Sequence, residues 1–189
     1  MLAAAAAALT ITVRVYDLYG VPADQRAKAL ALAGETLAKA NVSATWIDCA
    51  RDEGTTPPPV CSAVLKQGDI VLRLQRRSAR GPHILGTAIV QDGGPNVLAS
   101  VYIESIAERS VKTGVPRPVI LGRVTAHEIG HLLLGTNGHG PTGIMRASWN
   151  LRLPHPSEWQ FTEADAARIQ FGLLRRSEGE VAAGQALDE

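Results

Sequence analysis

His127 and His131 stand four positions apart with Glu128 directly after the first, and no other feature of the chain restricts its fold so tightly. Residues in a helix advance about 100° each, so side chains four apart leave one face and the two imidazoles can reach a common point. The stretch from Pro118 to Gly135 therefore reads as a helix. Pro118 suits a first turn, Val119, Ile120, Val124, Ile129, Leu132 and Leu133 supply a buried side, and Gly135 accepts the left-handed conformation that ends it. Two neutral imidazoles suit zinc, a borderline-soft ion, and fill half of a tetrahedral shell. Glu128 lies one residue round from His127, poorly aimed to be a ligand and well placed as a base for water at the metal. His139, twelve residues after His127 and beyond Gly135 and Gly138, can be swung back by a turned loop as the third ligand.

The run from His127 to Met145 resembles the active-site stretch of the metzincin clan of zinc metallopeptidases, and is nearest to the matrixin branch. That family reads His-Glu-x-x-His-x-x-Gly-x-x-His, followed by a methionine turn beneath the metal. Here Leu134 replaces the family's glycine, Gly135 comes one place late, and Asn137 occupies the usual third-ligand place with His139 two places beyond. The eighteen-residue spacing from His127 to Met145 is similar to the matrixin spacing, and the run from Phe161 to Gln170 resembles the closing helix of matrixin catalytic domains. The resemblance implies an α+β fold with a twisted, mostly parallel five-stranded sheet, an antiparallel edge strand, a backing helix, a metal-site helix and a C-terminal helix. It implies an endopeptidase in which His127, His131 and His139 hold one catalytic Zn2+ and Glu128 assists the attack of zinc-bound water on a peptide bond. Met145 would form a soft floor under the metal. Gly86, Thr87, Ala88, Ile89 and Val90 would form the edge strand that pairs with an extended peptide or protein substrate.

Two other readings stay open. A gluzincin-like peptidase would draw its third ligand from Glu158 or Glu163, and a non-catalytic zinc-binding module would keep the histidines for stability alone.

Charge sets limits on the partners. Lys+Arg 19 against Asp+Glu 18 leaves a net +1 over 189 residues, so no basic field recommends nucleic acid, and no apolar run is long enough to be a transmembrane segment. A single monomeric domain fits that length, with an upper subdomain over 10–136, a lower one over 137–176 and a polar, alanine-rich tail over 177–189 expected to be disordered. The alanine-rich start over residues 1–9 resembles the remnant of an export signal. Cys49 and Cys61, twelve apart around Pro57-Pro58-Pro59, suggest a disulfide, with two separate buried thiols as the alternative. Both features point to a secreted or extracytoplasmic protein.

Along the chain, Leu9 to Tyr19 alternates as a half-buried strand, with Ile11, Val13 and Val15 on one side and Thr12, Arg14 and Tyr16 on the other. Ala23 to Ala40 reads as an amphipathic helix with Ala27, Leu30, Ala31, Leu37 and Ala38 inward and Asp24, Arg26, Lys28 and Lys39 outward. Val42–Cys49, Asp69–Gln75, Ile84–Val90 and Val97–Ile103 are further strands, the last two joined by a hairpin-like run from Asp92 to Asn96. With one carboxylate in that run, calcium is not supported there. The basic run from Arg76 to Gly81 reads as a solvated loop, with a role in substrate binding as the alternative, and His83 and His155 as surface or satisfied histidines. Arg146 to Glu158, containing Trp149, is irregular and could wall a pocket beside the metal; Thr162 with Asp165 caps a final helix.

Overall fold

The computed structural model describes residues 9–50, 54–66, 68–81, 83–91, 96–151 and 156–185. Residues 1–8 of the export-signal reading over 1–9, most of the hairpin run at 92–95, and His155 lie outside the described residues.

The alternating N-terminal stretch forms β1 (Leu9–Asp17), with Ile11, Val13 and Val15 turned into the core. After α1 (Ala23–Ala38), the chain returns as β2 (Val42–Asp48), parallel to β1 with Val13 opposite Trp46. β3 (Asp69–Gln75) pairs with the other side of β1, also in parallel. The next two strands, β4 (Gly86–Ile89) and β5 (Leu98–Tyr102), pair antiparallel, and β5 runs parallel to β3. The sheet order is β2-β1-β3-β5-β4, a mostly parallel five-stranded sheet in an α+β fold with β4 as its antiparallel edge. Val90 falls just beyond β4, and Ile103 belongs not to β5 but to a helix that begins there.

That helix, α2 (Ile103–Thr113), is an addition to the sequence-based expectation. It follows β5 with no intervening loop, so no turn residue announces it, and it ends at Gly114 with φ 75°, a left-handed cap. α3 (Arg117–Leu134) then carries the histidine pair, starting with Pro118 in its first turn and ending at Gly135 with φ 63° and ψ 34°. The last helix, α4 (Glu163–Gln185), opens on Thr162, whose Oγ accepts from the Asp165 N–H at 3.1 Å. It continues through Gln185, past the point at Ser177 where composition suggests a disordered tail. Alanine, glutamate and glutamine there are good helix formers, which outweighs their polarity.

The buried face of α1 is rotated from the expected one. Ala29, Leu30, Ala33 and Leu37 point inward while Ala27, Ala31 and Ala38 are exposed, and Arg26, expected outward, is 1% exposed. Its guanidinium binds Asp17 at 3.1 Å and Asp48 at 3.0 Å and donates to the Val21 carbonyl at 2.7 Å, so the buried charge is paired on several sides. Arg14 is a second buried cation at 1% exposure, paired with Asp69 and donating to the Val60 and Ala63 carbonyls at 2.7 Å. The loop that supplies those carbonyls is fastened by a Cys49–Cys61 disulfide, with Cα atoms 5.6 Å apart. α1 and α3 approach closely at Gly122, where an added Cβ would stand 2.6 Å from the Ala29 carbonyl oxygen and 2.9 Å from Leu32 Cβ. This contact seats the metal-site helix on the backing helix.

Candidate metal centre

Helical spacing puts His127 and His131 on one side of α3, and both are buried. His127 Nδ1 lies 2.7 Å from the Ile144 carbonyl oxygen, and His131 Nδ1 lies 2.7 Å from the Thr136 carbonyl oxygen. A carbonyl can only accept, so each Nδ1 carries the hydrogen and each Nε2 presents a bare lone pair. The two Nε2 atoms are 3.0 Å apart, with neither able to donate to the other in the neutral form. Burial holds the His127 pKa down at about 4 and lowers that of His131 as well, so both rings are neutral near pH 7. Two converging lone pairs repel each other, and a shared cation relieves that repulsion.

The turn after Gly135 brings in the third ring. Gly138 N–H donates to Thr136 Oγ1 at 3.0 Å and Gly140 N–H to the Met145 carbonyl at 2.9 Å, pinning the backbone on either side of His139. The His139 ring centroid lies 5.3 Å from that of His127 and 4.9 Å from that of His131. One ring nitrogen from each of the three lies within 4.8 Å of the others, the one such group of His, Cys, Asp or Glu among the described residues. Ligands about 2.0–2.1 Å from a tetrahedral zinc stand roughly 3.3 Å apart. Three imidazoles, two of them oriented by backbone carbonyls, therefore fit one zinc ion. Glu158 does not join them: it pairs with Arg146 at 2.9 Å, and Glu163 begins α4. Asn137 also lines the cavity.

Glu128 is 5% exposed, and burial pushes its pKa up to about 8. A divalent ion beside it would act in the opposite sense, favouring the carboxylate. Gly86 at the start of β4 is what leaves it room: a Cβ there would stand 2.5 Å from Oε1 and 2.8 Å from Cδ of Glu128. Met145 packs beneath α3 at Gly130, where an added Cβ would meet its Sδ at 2.7 Å and Phe161 Cε1 at 2.7 Å. The residue before it, Ile144, offers its carbonyl both to His127 and to Trp149 Nε1, the latter at 3.1 Å. Trp149 stands edge-on to His127 at 5.2 Å and tilts against Trp159, whose face is capped by the Arg123 guanidinium 3.3 Å above the ring. These aromatic rings brace one wall of the site. The sequence marks the segment as a wall but does not reveal that Trp149 touches a histidine, because that contact depends on how an irregular chain folds back.

A cavity of about 600 Å³ opens over the histidines and Glu128. Gly86, Thr87 and Ala88 line it, so the edge strand runs along its rim; Ile89, 51% exposed, and Val90 are not part of the lining. Thr87 is steadied by a hydrogen bond between its hydroxyl and that of Tyr102, 3.0 Å apart. His83, read from sequence as a surface residue, is exposed and lines the cavity, as do Arg80, Arg109 and Arg146.

The sequence matches no protein-family model, and it matches none of the curated proteins compared with it. The fold is similar to solved ones. The archaemetzincin of Methanopyrus kandleri superimposes with a TM-score of 0.54 at 17% identity, covering 86% of this chain and 95% of that one. A zinc-dependent peptidase from Methanocorpusculum labreanum superimposes with a TM-score of 0.54 at 15% identity, covering 83% of this chain and 99% of that one. At such identities the likeness is one of architecture: the chain shares the fold of these two proteins.

Proposed function

We propose that the protein is a zinc-dependent endopeptidase of the metzincin kind, nearest to matrixins in its motif and with its third histidine two places late. The observation that carries this reading is the meeting of three imidazole nitrogens within 4.8 Å of one another, two of them from the helix that also presents Glu128 to the same cavity. The similarity of fold to a zinc-dependent peptidase supports it.

Zinc held by His127, His131 and His139 would act as a Lewis acid, polarising a peptide carbonyl and acidifying a water. The protein's own groups do the rest. The carbonyls of Ile144 and Thr136 hold the two buried imidazoles in the tautomer that leaves Nε2 free. Glu128 takes the proton released as water adds to the scissile carbonyl, then delivers it to the departing amine, so that one water is consumed and a carboxylic acid and an amine are formed. The free edge of β4 at Gly86–Ile89 offers main-chain donors and acceptors to an extended peptide, with Val90 continuing the path. Met145 keeps a soft apolar surface under the ligands, and Trp149 closes the wall. A site kept for stability alone has no use for a buried glutamate beside an open cavity, which favours the catalytic reading over a structural zinc module.

We take the molecule to be a monomeric single catalytic domain, its helix-and-sheet part over 10–136 and its smaller part over 137–176 flanking the cleft. The disulfide between Cys49 and Cys61 supports a secreted or extracytoplasmic setting. The test is zinc content by elemental analysis together with cleavage of a denatured protein, with and without a chelator. One zinc per chain and chelator-sensitive cleavage are expected; full zinc with no cleavage of any peptide would overturn the reading.

A further inference from the structure

Net charge and cleft charge disagree in this protein. Over the whole chain the charges nearly balance at +1, yet the cavity over the metal centre is lined by Arg80, Arg109 and Arg146 against the single carboxylate of Glu128. The three arginines come from separate parts of the fold: the loop between β3 and β4, helix α2, and the segment after Met145. Arg146 is partly neutralised by Glu158 at 2.9 Å. Arg80 and Arg109 have no ion pair among the described residues. Helix α2 in fact sorts its charges. Its Glu104 and Glu108 engage Arg76 and Arg77 outside the cavity lining, while Arg109 on the same helix lines the cavity. The basic run that looks like one solvated loop in the sequence is thus divided, with two members paired off and Arg80 left to the cleft.

Resting on the peptidase reading of the same site, we infer that the cleft selects acidic peptides, with Arg80 and Arg109 receiving Asp or Glu side chains that flank the bond to be cut. A guanidinium offers a planar fork that matches a carboxylate in two parallel hydrogen bonds, and in a concave site such bonds are less screened than on an open surface. Because the molecule as a whole is almost neutral, the selection acts at contact range rather than by long-range attraction. The same arginines repel lysine and arginine at the flanking positions, so discrimination has a repulsive as well as an attractive part.

The test separates binding from turnover. Two fluorescein-labelled peptides, identical except for Glu or Gln at the residues flanking the central bond, are titrated by anisotropy against the full chain carrying Glu128→Gln. The Glu peptide should bind at least about fivefold more tightly at low salt, with the ratio shrinking as salt is raised. Adding Arg80→Ala and Arg109→Ala together should bring the ratio close to one, and Arg80→Lys with Arg109→Lys, which keeps the charge and loses the fork, should restore only part of it. Equal binding of the two peptides, or a ratio that survives the double alanine change, would overturn the inference. Cleavage by the unaltered protein is read separately: preferential binding without any turnover would refute the peptidase reading while the charge selection stood.

Discussion

The carboxylate of Glu128 occupies the space that a side chain at position 86 would need, and the neighbour that must give way is the end of the proposed general base. Gly86→Ala should therefore leave zinc content unchanged while lowering kcat, by about tenfold to a hundredfold if the carboxylate moves by as much as 1 Å. Glu128→Gln should keep zinc and fold and lose about 10²- to 10⁴-fold in kcat/KM, the range for removing a general base. An unchanged kcat in Glu128→Gln would remove Glu128 from the mechanism, and an unchanged kcat in Gly86→Ala would show that the carboxylate is not displaced. The same carboxyl bears on stability in the metal-free protein. Its folded pKa of about 8 exceeds the ordinary 4.5, so between those values the unfolded chain has lost a proton that the folded chain keeps, and stability falls as pH rises. His127, lowered from 6.5 to about 4, works in the opposite direction below pH 6.5, as does His131. In metal-free protein Glu128 and His127 thus offset each other from about pH 4.5 to 6.5, where His131 adds a gain, and from there to about 8 the loss from Glu128 stands alone. Denaturant melts across that range check this, and Glu128→Gln should abolish the fall on the alkaline side.

At the scale of elements, the site depends on α3 being held close to α1. Gly122 permits a backbone approach that any side chain would block, since its nearest obstacle is the Ala29 carbonyl rather than the tip of a flexible group. Gly122→Ala should cost about 1–3 kcal/mol, seen as a melting temperature lowered by roughly 2–4 °C per kcal/mol in a domain of this size. Much of this arrangement can be read from residue pattern alone. The strand alternation of β1 and the Pro118 start and Gly135 stop of α3 follow from local chemistry, the cysteine spacing suggests the disulfide, and the α+β sheet with its antiparallel edge is what the resemblance to metzincins implies. What escapes is what local chemistry does not mark. α2 begins at the residue where β5 ends, so no glycine or proline separates them and Ile103 reads as strand. Arg26 looks like a solvent-facing charge until Asp17 and Asp48, brought alongside by the β-α-β turn, are known to be its partners. Arg80 could not be told from Arg76 and Arg77 before α2 was in place to pair with the latter two.

For the molecule as a whole, the three histidines tie the long helix α3 to the turned loop that leads into the smaller part around Met145 and α4. A cation bound there would join the two sides of the cleft and bind the native state alone. At a hundred times its dissociation constant, zinc should add about 2.7 kcal/mol, so chelation should lower the melting temperature by roughly 5–11 °C and zinc should restore it. The most direct trial of the central claim is zinc stoichiometry and cleavage measured side by side on the unaltered chain and on His139→Ala. The prediction is one zinc per chain with cleavage that a chelator stops and zinc revives, and in His139→Ala weakened zinc retention with cleavage lost. Full zinc affinity and full cleavage in His139→Ala would contradict it, because the late-arriving histidine would then be no ligand.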